Sequence, residues 1–244
     1  MDVRSLDRVL SILATLSALV VALMVAAIVS TKSSQDFFQT ARSLQAYAAN
    51  VEIPLSTLGL RLNLGLDNLF MIFYAAFFVV LATRLRDLVD SRILTVALAA
   101  MLLTAFLDAF ENHHIMTMVH SIENGLPLSI VDGQVQMVAS QIKFHASYLS
   151  VLLFSFGLWK LGTLGRLVAA SVWCYVPCGV LISVMPVDSA PALVLGRTIF
   201  FVLAFVLSAI LFSAMAKAAE PKLGARNAGS TADQTGLLNA SGAA

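Results

Sequence analysis

Charge is scarce in this chain of 244 residues. Asp, Glu, Lys and Arg make up 12% of it, against roughly 25% in a soluble domain. Hydrophobic residues fill the deficit at 59%, and they stand in runs long enough to cross a bilayer, which puts the chain in the membrane class. The net charge is only +1, so bulk electrostatics makes no case for nucleic-acid binding. Cysteine is nearly absent. Cys174 and Cys178 stand four apart inside an apolar run, share one helix face and read as small, soft core residues. Two cysteines exclude a disulfide framework. The sequence also lacks an internal repeat, a second domain, a Gly-rich phosphate loop and a Gly-x-Ser-x-Gly motif.

The long apolar runs predict an all-α bundle of six transmembrane helices, over about 9–29, 66–82, 93–119, 141–159, 167–187 and 192–216. Each is close to the roughly 20 residues that a bilayer core requires. Arg4 and Arg8 precede the first run, which a signal peptide would also show. The run from Val9 to Val29 exceeds the usual hydrophobic region of about 7–15 residues, so a retained helix is the better reading. Loop charges set the orientation. Ten Lys and Arg fall on the side of the N-terminus, Arg84, Arg86, Arg92, Lys160 and Arg166 among them. Five fall outside or in the outer half: Lys32, Arg42, Arg61, Lys143 and Arg197. The positive-inside rule then places both termini in the cytoplasm of a plasma membrane, of the bacterial inner-membrane kind.

The first outer loop, 30–65, is too long for a bare connection. Ser33, Ser34 and Asp36 suit a helix start. Phe37, Ala41, Leu44, Ala48 and Val51 recur at helical spacing, as in an amphipathic helix on the outer surface that Pro54 stops; an extension of the first span fits the same periodicity. In the second outer loop, Asp132-Gly133 is either a hairpin turn or a helix cap. Pro177 interrupts the fifth span and predicts a kink. The tail, 217–244, is rich in Ala, Gly, Ser, Thr and Asn and reads as disordered. Ala14, Ala18 and Ala22 form a small-residue seam that permits close helix contact, and so a homodimer.

A charged side chain at the bilayer centre costs about 2.5–3.5 kcal/mol on insertion scales, so intramembrane polar residues are the informative ones. Thr104, Asp108, Glu111 and Asn112 share one stripe of the third span, with His114 at its edge. His113 and His120 lie on the other side and read as interface residues. On the fourth span Gln141, His145, Tyr148 and Ser155 form a polar stripe, while Lys143 points elsewhere and snorkels outward. Asp67 and Asn68 open the second span, and Arg197 lies just inside the outer end of the sixth. All these belong to the outer half of the bundle.

Three functions are compatible with that cluster, besides an ion-pair network that only holds helices together. The first is an enzyme on a lipidic substrate. Glu111, His114, His145 and Asp67 are the candidate ligands of a divalent metal such as zinc. Without metal, Glu111, His145 and Asp108 are the candidates for acid–base catalysis by a hydrolase, isomerase or cyclase. Arg197, Asn112, Asn68 and Tyr148 are the candidate substrate contacts. On this reading Glu111→Gln and His145→Ala abolish activity and spare the fold. The second is a small proton- or ion-coupled transporter or a ligand-binding sensor, using Asp67, Asp108, Glu111 and Arg197. The third is a b-type haem between His114 and His145. Alkaline ceramidases and adiponectin-type receptors carry a His-x-x-x-His pair in their last helix. Residues 167–216 contain no histidine, so that pattern is missing here.

Overall fold

The computed structural model describes residues 2–39, 43–52, 55–184 and 191–219. Arg42, Pro54 and the tail from Glu220 onward lie outside the described residues, as does the end of the fifth predicted span. Every regular element among the described residues is helical: α1 (Val3–Thr31), a 3₁₀ turn (Gln35–Phe37), α2 (Leu44–Val51), α3 (Ser56–Leu85), α4 (Ser91–Glu123), α5 (Ile130–Leu158), α6 (Gly162–Val184) and α7 (Pro191–Ala218). Five of them, α1, α3, α4, α6 and α7, are long and apolar enough to cross a membrane. α5 has 29 residues, as α1 does, but Gln141, Lys143 and His145 dilute its apolar character.

Local chemistry sets the helix ends. Asp2 accepts from the Ser5 N–H at 2.7 Å, and Asp90 accepts from the Arg92 N–H at 2.8 Å. These caps satisfy N–H groups that the first turn leaves open. At α5 the Ser129 side chain accepts from the Asp132 N–H, and the Asp132 carboxylate accepts from the Ser129 N–H and hydroxyl. The Asp132-Gly133 pair is therefore part of a reciprocal helix cap, not a hairpin. Because of it α5 begins eleven residues before the fourth predicted span.

The six long helices form a ring in chain order. α1 packs on α3, α3 on α4, α4 on α5, α5 on α6 and α6 on α7, and α7 closes back on α1. Large apolar side chains such as Ile72, Phe106, Leu149, Leu195 and Ile199 point outward and are exposed, as a helix surrounded by lipid requires. Inward lie Phe70, Phe77, Phe78, Phe154, Phe205 and Phe212, all buried. Their rings meet mostly edge to face; Phe77 and Phe205, for example, have centroids 6.0 Å apart, the arrangement that ring quadrupoles favour. Of the small-residue seam, Ala14 is buried inside the chain, Ala18 is half-buried and Ala22 is exposed. Cys174 is exposed and Cys178 half-buried, so neither is the core residue expected.

One end of the ring is covered. The segment after α1 does not run as one amphipathic helix. Lys32 takes a left-handed conformation and ends α1, the 3₁₀ turn follows, and α2 starts afresh at a Ser43 cap. Phe38 and Tyr47 stack at 5.2 Å and bury themselves with Leu60, Leu64, Ile115 and Met118. This small second core clamps the segment onto α3 and α4. Gly59 lets α3 pass close to the end of α1, since a Cβ there would overlap the Thr31 side chain.

Candidate functional site

Under that cap the helices bring their polar residues together around Lys143. Its ammonium lies 2.9 Å from Asp108 Oδ1 and 2.7 Å from Glu111 Oε1, and the residue is only 5% exposed. Lys143 does not snorkel outward, contrary to the sequence reading. The reason is the register of α5. Its buried face runs through Gln136, Ser140, Lys143 and Phe154, and a residue two positions on from Lys143 points about 200° away. His145 therefore faces outward. It is exposed and bonds the Gln141 carbonyl of its own helix at 2.8 Å.

Each carboxylate near Lys143 is held on several sides. Asp108 Oδ2 accepts from the Tyr74 hydroxyl at 3.0 Å. Glu111 accepts from the Gln39 amide and the Ser140 hydroxyl, both at 2.5 Å. Gln39 comes from the cap and Ser140 from α5, so Glu111 ties three parts of the chain together. Charge-assisted bonds of this kind are the strong ones. Beside them the Asn112 amide donates to Asp67 Oδ2 at 2.9 Å and to Asn68 Oδ1 at 3.0 Å. His114 bonds Gln136 Oε1 at 2.8 Å, and its other ring nitrogen lies 3.9 Å from Asp132.

A cavity of about 260 Å³ opens from this cluster along the inside of the ring. Asp67, Asp108, Lys143 and Arg197 line its capped end, with Gln35, Asp36 and Gln39 from the cap segment. Towards the far end its walls are apolar apart from Ser208: Phe77, Phe78, Leu81, Phe154, Leu158 and Phe205 among others. From Asp67 to Leu81 the lining spans fifteen residues of α3, about 21 Å of helix from first to last. Arg197 sits at the mouth, its guanidinium 3.7 Å from Asp36 and 5.2 Å above the Phe144 ring. Tyr148 bonds Arg197 from behind and packs against Gly179, where a Cβ would overlap its ring.

The sequence-predicted residues thus separate into three groups. Asp67, Asp108 and Arg197 border the cavity. Glu111, Asn112, Asn68 and Tyr148 support those that do. His145 stands apart, and His114 binds within the α4–α5 contact. The metal grouping of Glu111, His114, His145 and Asp67 is not formed, and among the described residues no three His, Cys, Asp or Glu side chains gather as a metal site would need. The haem pair is not formed either: His114 is level with Gln136, nine residues and about 14 Å along α5 from His145. Sequence reasoning missed Lys143, Tyr74, Gln35, Gln39, Gln136 and Ser140. The spacing of Gln136, Ser140 and Lys143, four and then three apart, was the available signal for three of them. No family model, curated protein or solved structure matches the chain.

Proposed function

We propose that this chain is a six-span integral membrane protein that encloses one amphipathic, lipid-like molecule and acts on its head by proton transfer. The observation that carries this is the continuity of the cavity: ionisable groups at one end, an aromatic and aliphatic tube at the other. Ligand sites usually combine apolar walls with a few placed polar groups. In this reading α5 is the sixth span, its polar face turned into the ring. The cap lies on the outer side and both termini in the cytoplasm, as the loop charges direct.

The proton chemistry falls to Asp108, Tyr74 and Lys143. Asp108 borders the cavity and is bonded on one oxygen by the tyrosine and on the other by the lysine. Such a set can pass a proton to or from a head group held beside it. Glu111 is not at the cavity wall and serves to fix Lys143. An ion or proton pathway would need ionisable groups at the far end as well, and the walls there are apolar apart from the Ser208 hydroxyl. The enzyme reading is therefore favoured over transport.

Organic extraction of the purified protein followed by mass spectrometry tests the binding step. A single-chain amphipath should be recovered at near-equimolar amount from the wild type and be lost in Ala204→Phe, which fills the tube. Recovery unchanged in Ala204→Phe sinks the proposal. Asp108→Asn should keep the bound molecule and stop its conversion to product.

A further inference from the structure

We propose that the head of the enclosed molecule is a primary ammonium and that its seat is Asp67. The inference rests on the cavity reading above and specifies the class of occupant.

Charge balance is the first ground. Asp67, Asp108 and Glu111 are all buried within the capped end, and Lys143 is the cation beside them. Lys143 is committed to Asp108 and Glu111 at 2.9 and 2.7 Å. Asp67 is bonded by amide groups, those of Asn112 and Gln35, and among the described residues it has no cation within ion-pair distance. A buried charge without a counter-charge is strongly unfavourable. Arg197 does not serve it, since it is matched by Asp36 and Tyr148 at the mouth.

The second ground is independent of charge. Around Asp67 three buried amide oxygens have no partner among the described residues, Gln35 Oε1, Asn112 Oδ1 and Asn63 Oδ1, and neither has the Asn63 Nδ2 donor; of these residues Gln35 lines the cavity. Gln35 and Asn112 turn their NH₂ groups to Asp67, which leaves their carbonyl oxygens open. Asn63 stands one turn from Asp67 on the same face of α3. The open oxygens are acceptors, and an ammonium brings three donors and no acceptor. A carboxylate head would set another acceptor against Gln35 Oε1 at the cavity wall and add a negative charge to three acidic groups.

The third ground is length. Asp67 and Gln35 lie at the polar end of the cavity. The tube below runs about 21 Å, which an extended chain fills with roughly 17 bonds, taking three bonds per residue length of backbone. Its walls near the head include the Tyr74 and Phe70 rings, surfaces that favour a cation.

The experiment titrates the purified full-length protein in detergent with hexadecylamine, hexadecanol and hexadecanoate by calorimetry. The amine should bind about tenfold or more tightly than the alcohol, the worth of one charge-assisted contact. In Asp67→Asn that preference should fall to parity. Equal binding of amine and alcohol by the wild type overturns the ammonium seat and leaves the chain-binding cavity standing, with water filling the open amides. Tighter binding of the acid also overturns it and moves the head to Arg197. Binding of none of the three overturns the cavity reading as well. If Asp67→Asn does not fold, the wild-type comparison decides alone, and Gln35→Leu should narrow the amine preference through loss of one acceptor.

Discussion

The two ends of the ring bury the inner faces of the same helices by opposite means. At the far end Phe77, Phe78, Phe154 and Phe212 pack rings that have no polar atom to satisfy. At the capped end Glu111 alone needs Lys143, Gln39 and Ser140 in place at once. Aromatic packing tolerates small slides, because dispersion and edge-to-face contacts vary smoothly with position. The ionic network does not: a shift of one residue in α5 turns Lys143 by about 100° and strands two carboxylates. The capped end therefore sets the register of α4 against α5, and the far end supplies burial. The cavity runs from the first of these regimes into the second.

The largest effect should come from breaking that network at its centre. Lys143→Met leaves Asp108 and Glu111 buried without a cation, and removing one partner of a buried pair costs about 3–5 kcal/mol. The variant should lose most of its monodisperse yield after purification. Glu111→Gln should be milder, because an amide can still accept from Lys143 and the net charge falls, and it should melt a few degrees below the wild type. If Lys143→Met melts with the wild type, the network is ornamental and the comparison of the two ends fails.

Loosening the mouth should have an intermediate effect. Arg197 meets Asp36 at 3.7 Å, and Asp36 is 57% exposed in its side chain. Such a pair contributes about 0–1 kcal/mol. Arg197→Ala should therefore hardly change the melting temperature, yet it opens the cavity mouth and should speed the exchange of a bound amphipath, measured by release of a fluorescent analogue. An unchanged release rate would show that the cap, not Arg197, governs entry.

His145 gives the sharpest contrast with Lys143, two residues away. His145 lies on a shallow outer patch with Gln141, Ile142, Ala146 and Leu149. His145→Ala should shift stability by less than about 0.5 kcal/mol, as surface substitutions usually do, and should leave turnover intact. Loss of turnover in this variant would return histidine to the chemistry and displace the Asp108–Tyr74–Lys143 assignment.

These two residues also mark what the sequence made legible. Long apolar runs give the helices away, because nothing but a membrane or a core rewards them. The polar stripe on α4 was equally clear: Thr104, Asp108, Glu111 and Asn112 are all buried, as their spacing predicts. On α5 the apolar run begins only at 141 and leaves out the polar first third of the helix, where Gln136 and Ser140 fix the face. A lysine among apolar residues reads locally as one that reaches for water, since nothing nearby in sequence reveals two carboxylates on another helix. The cap residues Gln35 and Gln39 gave no signal, because their roles depend on how a loop folds back over the ring.

The smallest effect concerns the start of α5, the element that carries Lys143. Ser129 and Asp132 cap each other there, and the Ser129 bonds hold the Asp132 carboxyl below its ordinary value. A lowered value in the folded state means that the contribution is present above the unfolded carboxylate range and is lost as the pH falls through the folded value. Ser129→Ala should cost about 0.5–1 kcal/mol at neutral pH, near the low end for caps because the site is exposed. The deficit relative to wild type should shrink on acidification, once Asp132 is protonated in both proteins. A deficit independent of pH would assign the cost to the Ser129 hydroxyl alone. The register of α5 would then rest on the Lys143 network without help from its cap.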